Sequence, residues 1–191
     1  MSIVGLDLAG VETRPTGFCT LTNMIAETSL VYLDNDILAK IRETHPKIIV
    51  IDAPLSLPPG RKSLEERNGE HLRPCDRELL RRGIRFFPVT LGPMRKLTMR
   101  GINLRNILEA ENFKVIEGYP GGAQDALGIP RKQKGLDKLK NGLECLGIKG
   151  LTDQMSDHEL DAVTCAYVGK LFLEEEAVIY GSLDDGIVMP K

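Results

Sequence analysis

The chain has 191 residues, of which 42% are hydrophobic and 27% charged, and its formal net charge is −2. This length suits one domain, and the composition is that of an ordinary globular protein. The sequence holds no run of about 18 apolar residues, the minimum for a membrane-spanning helix, so we expect no association with a membrane.

The N-terminal sequence and the cysteines favour a cytoplasmic location. Residues 3–7 read as a strand rather than as a basic segment followed by an apolar one, so we predict no secretory signal. The four cysteines, at positions 19, 75, 145 and 165, form no C-x-x-C pair. We therefore expect neither a structural zinc site nor a disulfide framework, and a reducing cytoplasm is the default compartment.

The first third of the chain predicts a meander of three strands. They are expected over residues 2–9, 17–22 and 24–33, and a tight turn near Asn23 joins the last two as an antiparallel hairpin. Gly10 allows a sharp turn after the first strand.

A helix and a buried strand follow this meander. The acidic run Asp34-Asn35-Asp36 offers N-caps for the helix, which ends at His45-Pro46. Residues 47–52 are apolar without alternation, which is typical of a central parallel strand covered on both faces.

The rest of the chain predicts a long insertion and then further helices and strands. The insertion covers about 55–101, is rich in Pro, Gly and Arg, and contains a helix over 76–82. Ser156 and Glu159 form a capping box at the start of the last helix. The remaining predicted elements are helices over 104–111, 135–146 and 157–173, a strand over 113–119, and a C-terminal hairpin of strands 177–180 and 186–189.

This order of elements predicts a single α/β domain over residues 1–191. Its core is a mixed five-stranded sheet with helices on both faces, extended by the Arg-rich insertion and the C-terminal β-hairpin. The order is that of a ribonuclease H-like fold.

Acidic residues follow three of the predicted strands. Asp7, Asp52 and Glu117 stand in or directly after apolar runs, at the sheet edge where sites form in open α/β sheets. Carboxylates that converge there would repel one another unless a cation neutralises them, and oxygen ligands favour Mg²⁺ or Mn²⁺. The alternative is that each acid caps the turn after its strand.

The last helix adds further candidates. Asp161 lies on the stripe of Cys165 and Val168, which is expected to face the interior, so neither capping nor solvation accounts for it. Asp157 is a further candidate ligand, although its place in the first turn is also explained by the helix dipole. His158 shares the face of Asp161 and is a candidate metal ligand or proton shuttle, or a histidine that merely begins the helix.

Five motifs together resemble one family. It is the predicted-nuclease family known as domain of unknown function 429, which is assigned to the ribonuclease H-like superfamily. The motifs cover nearly the whole chain: GLDLAG at 5–10, IDAPLSLP at 51–58, RPCDRE at 73–78, VIEGYP at 115–120 and HELDA at 158–162.

The HELDA motif is also similar to the last helix of RuvC-type Holliday-junction resolvases. Those enzymes carry an acid on the first strand, another after the fourth, and more on the final helix. By that resemblance Asp7, Asp52 and Asp161 are the core metal ligands. In a nuclease we expect them to hold two Mg²⁺ or Mn²⁺ ions, and we expect His158 or Glu117 to assist proton transfer. Glu117 departs from the resolvase pattern.

The insertion is strongly basic. Between residues 61 and 105 there are 12 Lys and Arg against five acids, a net charge of +7, which leaves −9 for the rest of the chain. Cations beside an acidic metal cluster are what a phosphodiester substrate needs. The alternative is a solvated helix face in which Glu78 pairs with its neighbours. The candidate nucleic-acid-binding residues are Arg73, Arg77, Arg81, Arg95, Lys96 and Arg100.

The leading hypothesis is a metal-dependent nuclease that hydrolyses the phosphodiester bonds of DNA or RNA. A second is a catalytically silent module of the same fold that binds nucleic acid or protein. A third is an ATPase-like nucleotide-binding domain, suggested by the Asp7-x-x-Gly10 turn, although such proteins need two domains. Assembly into a homodimer is left open by the sequence.

Overall fold

The computed structural model describes residues 1–66, 69–182 and 184–191. Within these ranges the strands are β1 (Ser2–Asp7), β2 (Thr16–Thr22), β3 (Ile25–Val31), β4 (Ile48–Ile51), β5 (Val115–Gly118), β6 (Ala177–Tyr180) and β7 (Ile187–Pro190). The helices are α1 (Asp34–Thr44), α2 (Pro74–Arg81), α3 (Gly92–Ala110), α4 (Pro120–Ala126), α5 (Leu136–Cys145) and α6 (Asp157–Leu173), with a short 3-10 helix at Lys132–Lys134. None of the described helices is both long enough and apolar enough to cross a membrane.

The strands form one mixed sheet in the order β3-β2-β1-β4-β5-β7-β6. Strands β1, β4, β5 and β7 run parallel to one another, while β2, β3 and β6 pair antiparallel with their neighbours. The predicted mixed α/β fold is confirmed, but the sheet has seven strands rather than the expected five. The C-terminal hairpin is not separate, because β7 pairs with β5 through Glu117–Ile187 and Gly118–Val188.

Helices cover both faces of the sheet, as the apolar run of β4 predicted. Ile48 and Val50 belong to a core shared with α4, α5 and α6. Ile49 and Ile51 belong to a second core, shared with α1 and α3. This division follows from the alternation of side chains along a strand, and it places α6 directly over the centre of the sheet.

Two helices differ from the sequence prediction. Helix α3 begins at Gly92 rather than 104, so it takes up the end of the predicted insertion. Its internal glycine, Gly101, is explained by packing, because a Cβ there would lie 3.0 Å from Ala53 Cβ and 3.1 Å from the Pro54 carbonyl oxygen. Helix α4 was not predicted, since three of its first four residues are Pro or Gly.

Two glycines allow α6 to lie unusually close to the sheet. A Cβ on Gly5 of β1 would lie 2.1 Å from the Ala162 carbonyl oxygen, and one on Gly17 of β2 would lie 2.0 Å from the His158 carbonyl oxygen. Gly17 also pairs directly with Asp7 across the two strands. The helix backbone therefore touches the strand backbone beside the end of β1.

We predict that Gly5→Ala lowers the free energy of unfolding by about 1–3 kcal/mol or more, because the methyl group forces α6 off the sheet. Urea unfolding followed by circular dichroism measures the change. Gly92→Ala is the matched control, since a Cβ there meets no atom within 4 Å. Equal unfolding midpoints for the two variants would contradict the close packing.

Candidate functional site

Asp7 and His158 form the first contact of the site. Asp7 is the last residue of β1, and the Nδ1 of His158 lies 2.6 Å from its Oδ2. This hydrogen bond is the main cause that raises the pKa of His158 above its usual value, with the negative charges of Asp7 and Asp157 adding to it. The pair exists because Gly17 lets the first turn of α6 approach β1.

Lys132 links the two other aspartates of α6. Its Nζ lies 2.9 Å from Asp161 Oδ2 and 3.0 Å from Asp157 Oδ2. Burial acts to lower the pKa of Lys132, but the hydrogen bonds to Asp161 and Asp157 outweigh it, so the pKa is raised. The remaining oxygen of Asp161 accepts a hydrogen bond of 2.7 Å from Gln124 Nε2, which fixes the carboxylate in place.

Asp52 completes the cluster at the end of β4. Its backbone N–H donates to the Leu6 carbonyl, so the residue stays in register with β1. Burial raises the pKa of Asp52 well above its usual range, and the negative charges of Asp7 and Asp161 raise it further. Across residues 1–66, 69–182 and 184–191, no side chain forms an ion pair with Asp52. The structure thus brings Asp7, Asp52 and Asp161 within electrostatic reach of one another.

Glu117 belongs to a different arrangement. Its two carboxylate oxygens accept hydrogen bonds of 2.6 and 2.8 Å from Arg73, and the backbone N–H of Leu55 donates to one of them at 2.7 Å. Burial opposes the charge of Arg73, but the carboxylates of Glu117 and Asp76 outweigh it and raise the pKa of Arg73 well above its usual value. Glu117 is therefore the acceptor of a buried ion pair, which does not fit the predicted proton-transfer role.

The cluster fits a divalent cation in charge and in donor type. Asp7, Asp52, Asp157 and Asp161 supply the hard carboxylate oxygens that Mg²⁺ and Mn²⁺ prefer. Within the described ranges, however, no three His, Cys, Asp or Glu side chains are already arranged around one ion position. Lys132 holds both Asp157 and Asp161, so a cation that binds these carboxylates must displace the lysine, whereas His158 contacts only one oxygen of Asp7.

Two of the predicted nucleic-acid contacts lie in the interior. Arg73 is only 2% exposed and pairs with Glu117 and Asp76. Arg100 is 7% exposed, pairs with Asp34 and donates to the carbonyls of Ala9 and Tyr32. These placements correct the prediction, because neither guanidinium is available to a phosphate backbone.

The other four predicted contacts lie nearer the surface. Lys96 is exposed and forms no ion pair with any described residue. The remaining three pair with glutamates: Arg77 with Glu70, Arg81 with Glu78, and Arg95 with Glu65. Such exposed pairs are weak, so a phosphate can compete for these arginines.

Sequence reasoning missed Lys132 and Gln124. Lys132 belongs to the basic run Arg131-Lys132-Gln133-Lys134, but nothing in that run indicates that its side chain contacts the aspartates of α6. Gln124 lies on α4, a helix that the sequence did not predict. Both residues reach the site through tertiary packing: α4 packs against α6, and the 3-10 helix packs against α5, which also contacts α6.

A family model described as "Protein of unknown function (DUF429)" matches residues 5–184. The chain belongs to this family. The match confirms the resemblance carried by the five sequence motifs. Among curated proteins there is no match.

Two solved structures of a resolvase share the fold. One is "T. thermophilus RuvC in complex with Holliday junction substrate", with a TM-score of 0.55 at 12% identity, covering 92% of this chain and 96% of that one. The other is "Thermus thermophilus RuvC structure", with a TM-score of 0.51 at 10% identity, covering 99% of this chain and all of that one. These likenesses confirm the ribonuclease H-like fold of the DUF429 chain.

We predict that Arg73→Met lowers the free energy of unfolding by about 3–5 kcal/mol, because it leaves the carboxylates of Glu117 and Asp76 buried without a counter-charge. Urea unfolding measures the loss. Arg81→Met is the control, since Arg81 is exposed and its pair with Glu78 is solvated. A loss no larger than that of the control would show that the buried pair is not structural.

We predict that NMR titration of the His158 imidazole gives a pKa above the ordinary value of about 6.5, and that Asp7→Asn lowers it. The stabilisation from the Asp7–His158 contact should then be complete below the unfolded-state pKa and lost as the pH rises through the folded-state value. The signals of His45 and His71 serve as internal references. An unchanged His158 titration in the variant would contradict the contact.

Proposed function

We propose that this DUF429 chain is a metal-dependent nuclease that hydrolyses phosphodiester bonds of nucleic acids. The observation that carries the proposal is the convergence of Asp7, Asp52 and Asp161 from two neighbouring parallel strands and the helix that covers them. Convergence of this kind leaves a surplus of negative charge that a solely structural arrangement would not need. The shared fold with RuvC supports the assignment to nucleic-acid chemistry by analogy.

Asp7, Asp52 and Asp161 would hold Mg²⁺ or Mn²⁺, with Asp157 at the margin, and two ions are expected. When bound, such ions would supply Lewis-acid chemistry, which activates water and stabilises the negative charge that develops on a phosphate. The chain's own residues would supply orientation: Gln124 fixes Asp161, and His158 fixes Asp7.

His158 and Lys132 have further roles in this proposal. The His158 side chain is 37% exposed, so its imidazole can exchange a proton with water or substrate while it contacts Asp7. Lys132 neutralises Asp157 and Asp161 before a cation binds. Displacement by a cation would free its ammonium group, a point charge suited to a substrate phosphate.

The nucleic-acid contacts we retain are the surface cations Arg77, Arg81, Arg95 and Lys96. Because they would act on backbone phosphates, binding should weaken steeply as salt is raised. The RuvC structure that shares the fold is described with a Holliday junction substrate, which makes branched DNA the first substrate to test.

A second candidate is the catalytically silent binding module. The contact of Lys132 with both Asp157 and Asp161 favours it, because a lysine can neutralise carboxylates permanently in place of a metal. This module would bind nucleic acid through the same surface cations and would gain no stability from Mn²⁺.

The nuclease proposal is tested with purified protein, Mg²⁺ or Mn²⁺, and branched, duplex, hybrid and single-stranded substrates. Asp7→Asn should reduce cleavage at least about a hundredfold, because metal-held charge contributes several kcal/mol to catalysis. Asp36→Asn, an exposed aspartate of α1, is the matched control and should cleave normally. Failure of the wild type on all four substrate classes with both ions would refute the proposal.

We further predict that Asp52→Asn raises the free energy of unfolding in EDTA by about 1 kcal/mol, because it removes a half-buried charge that Asp7 and Asp161 repel. In thermal melts, Mn²⁺ should raise the melting temperature of the wild type and should raise that of Asp52→Asn only a little. Asp36→Asn should follow the wild type in both conditions. A destabilised Asp52→Asn variant would mean that the carboxylate is structural.

A further inference from the structure

A cavity of about 620 Å³ opens directly beside the aspartate cluster. Asp52 and Pro54 form its edge towards the site, and Tyr119, next to the end of β5, forms another wall. Its volume lies within the range of small-molecule sites, and Asp52 belongs both to the cavity and to the proposed metal site. A ligand that fills the cavity therefore lies next to Asp52, one of the proposed metal ligands.

The walls of the cavity are mostly apolar and include three aromatic rings. Phe86, Phe87 and Tyr119 provide the rings, and Leu79 and Leu80 provide part of the aliphatic surface. Phe87 is 68% exposed, although it lies among the cavity-lining residues, so it stands at the mouth. Its ring therefore offers an uncovered aromatic face to a ligand that enters the cavity.

Charged groups at the cavity fall into two kinds. Arg73, Glu117 and Asp76 neutralise one another in the ion-pair network. Arg85 is exposed and forms no ion pair within the ranges the structure describes, while the guanidinium of Arg131 lies 5.9 Å from the centre of the Tyr119 ring. The cavity thus offers aromatic faces and two guanidinium groups: that of Arg85, which has no ion-pair partner among the described residues, and that of Arg131, which pairs with Asp125.

We propose that this cavity binds the unstacked base of a nucleotide whose phosphate lies at the aspartate cluster. A nucleobase has two apolar faces that stack on aromatic rings or guanidinium planes, and a polar edge that accepts hydrogen bonds from arginine. Enzymes that act on a single nucleotide in a strand move it out of the stack, and this requires a pocket beside the reacting group. The inference rests on the proposed function and adds a base-recognition site to it.

The same base could belong to a nucleic-acid strand or to a free nucleotide. The experiment therefore uses two probes: 2-aminopurine riboside, which carries no phosphate and needs no metal, and a short single strand with one internal 2-aminopurine, tested with Ca²⁺. The chain contains no tryptophan, so emission from the base analogue is not masked by the protein. Tighter binding of the strand assigns the site to nucleic acid, and tighter binding of the riboside assigns it to a free nucleotide.

Variants of Phe87 test whether the cavity is the binding site. Phe87→Ala should weaken riboside binding about tenfold, in line with the loss of one base–aromatic stack. Phe87→Tyr keeps the aromatic ring and should bind the riboside as the wild type does. Because Phe87 is exposed, neither substitution should unfold the chain. Tyr32→Ala is the matched control, since Tyr32 is an aromatic residue that is 45% exposed and lies outside the cavity.

The expected result is saturable binding of the riboside, which adenosine inhibits by competition and ribose does not. Among the three variants, only Phe87→Ala should lose affinity. Absence of base-dependent binding, or equal affinity in Phe87→Ala and Tyr32→Ala, would overturn the proposal. The riboside assay involves no cleavage, so it separates the two proposals. If the protein is inactive but binds the riboside, the base site is supported and the nuclease activity is refuted. If the protein is active but does not bind the riboside, the nuclease activity is supported and the base site is refuted.

Discussion

The backbone contact of α6 with β1 and β2 is the constraint on which the whole site depends. Gly5 and Gly17 leave no room for a side chain between helix and sheet, so α6 lies against the strands at van der Waals distance. Asp161 and His158 occupy the first turns of this helix, and Asp7 ends the strand beneath them. The absence of a Cβ atom at Gly5 and Gly17 therefore determines how close the side chains of α6 lie to Asp7.

Electrostatics divides the buried and half-buried acids near the site into two groups. Glu117 and Asp76 share the guanidinium of Arg73 and stabilise the fold around α2. Asp7 pairs with His158 and Asp161 pairs with Lys132, while Asp52 has no ion-pair partner within the described part of the chain. The second group keeps a net negative charge, which destabilises the folded chain and which a bound cation would neutralise.

The sequence predicted the local features and missed those set by distant contacts. The apolar run of β4 and the capping box at Ser156 were sufficient to place a central strand and α6. The docking of the C-terminal hairpin on β5, and with it the seven-stranded sheet, depends on pairing that no local pattern encodes. Likewise, the basic character of Arg73 was evident, but its burial against Glu117 arises from two segments 44 residues apart.

The central claim is that the carboxylates of β1, β4 and α6 form a divalent-cation site. A crystal structure of the protein soaked in Mn²⁺, with anomalous diffraction measured at the manganese edge, tests it most directly. The account predicts anomalous peaks bounded by Asp7, Asp52 and Asp161, with Lys132 moved away from Asp161. Crystals that show no manganese there, and Lys132 still paired with Asp157 and Asp161, would contradict it.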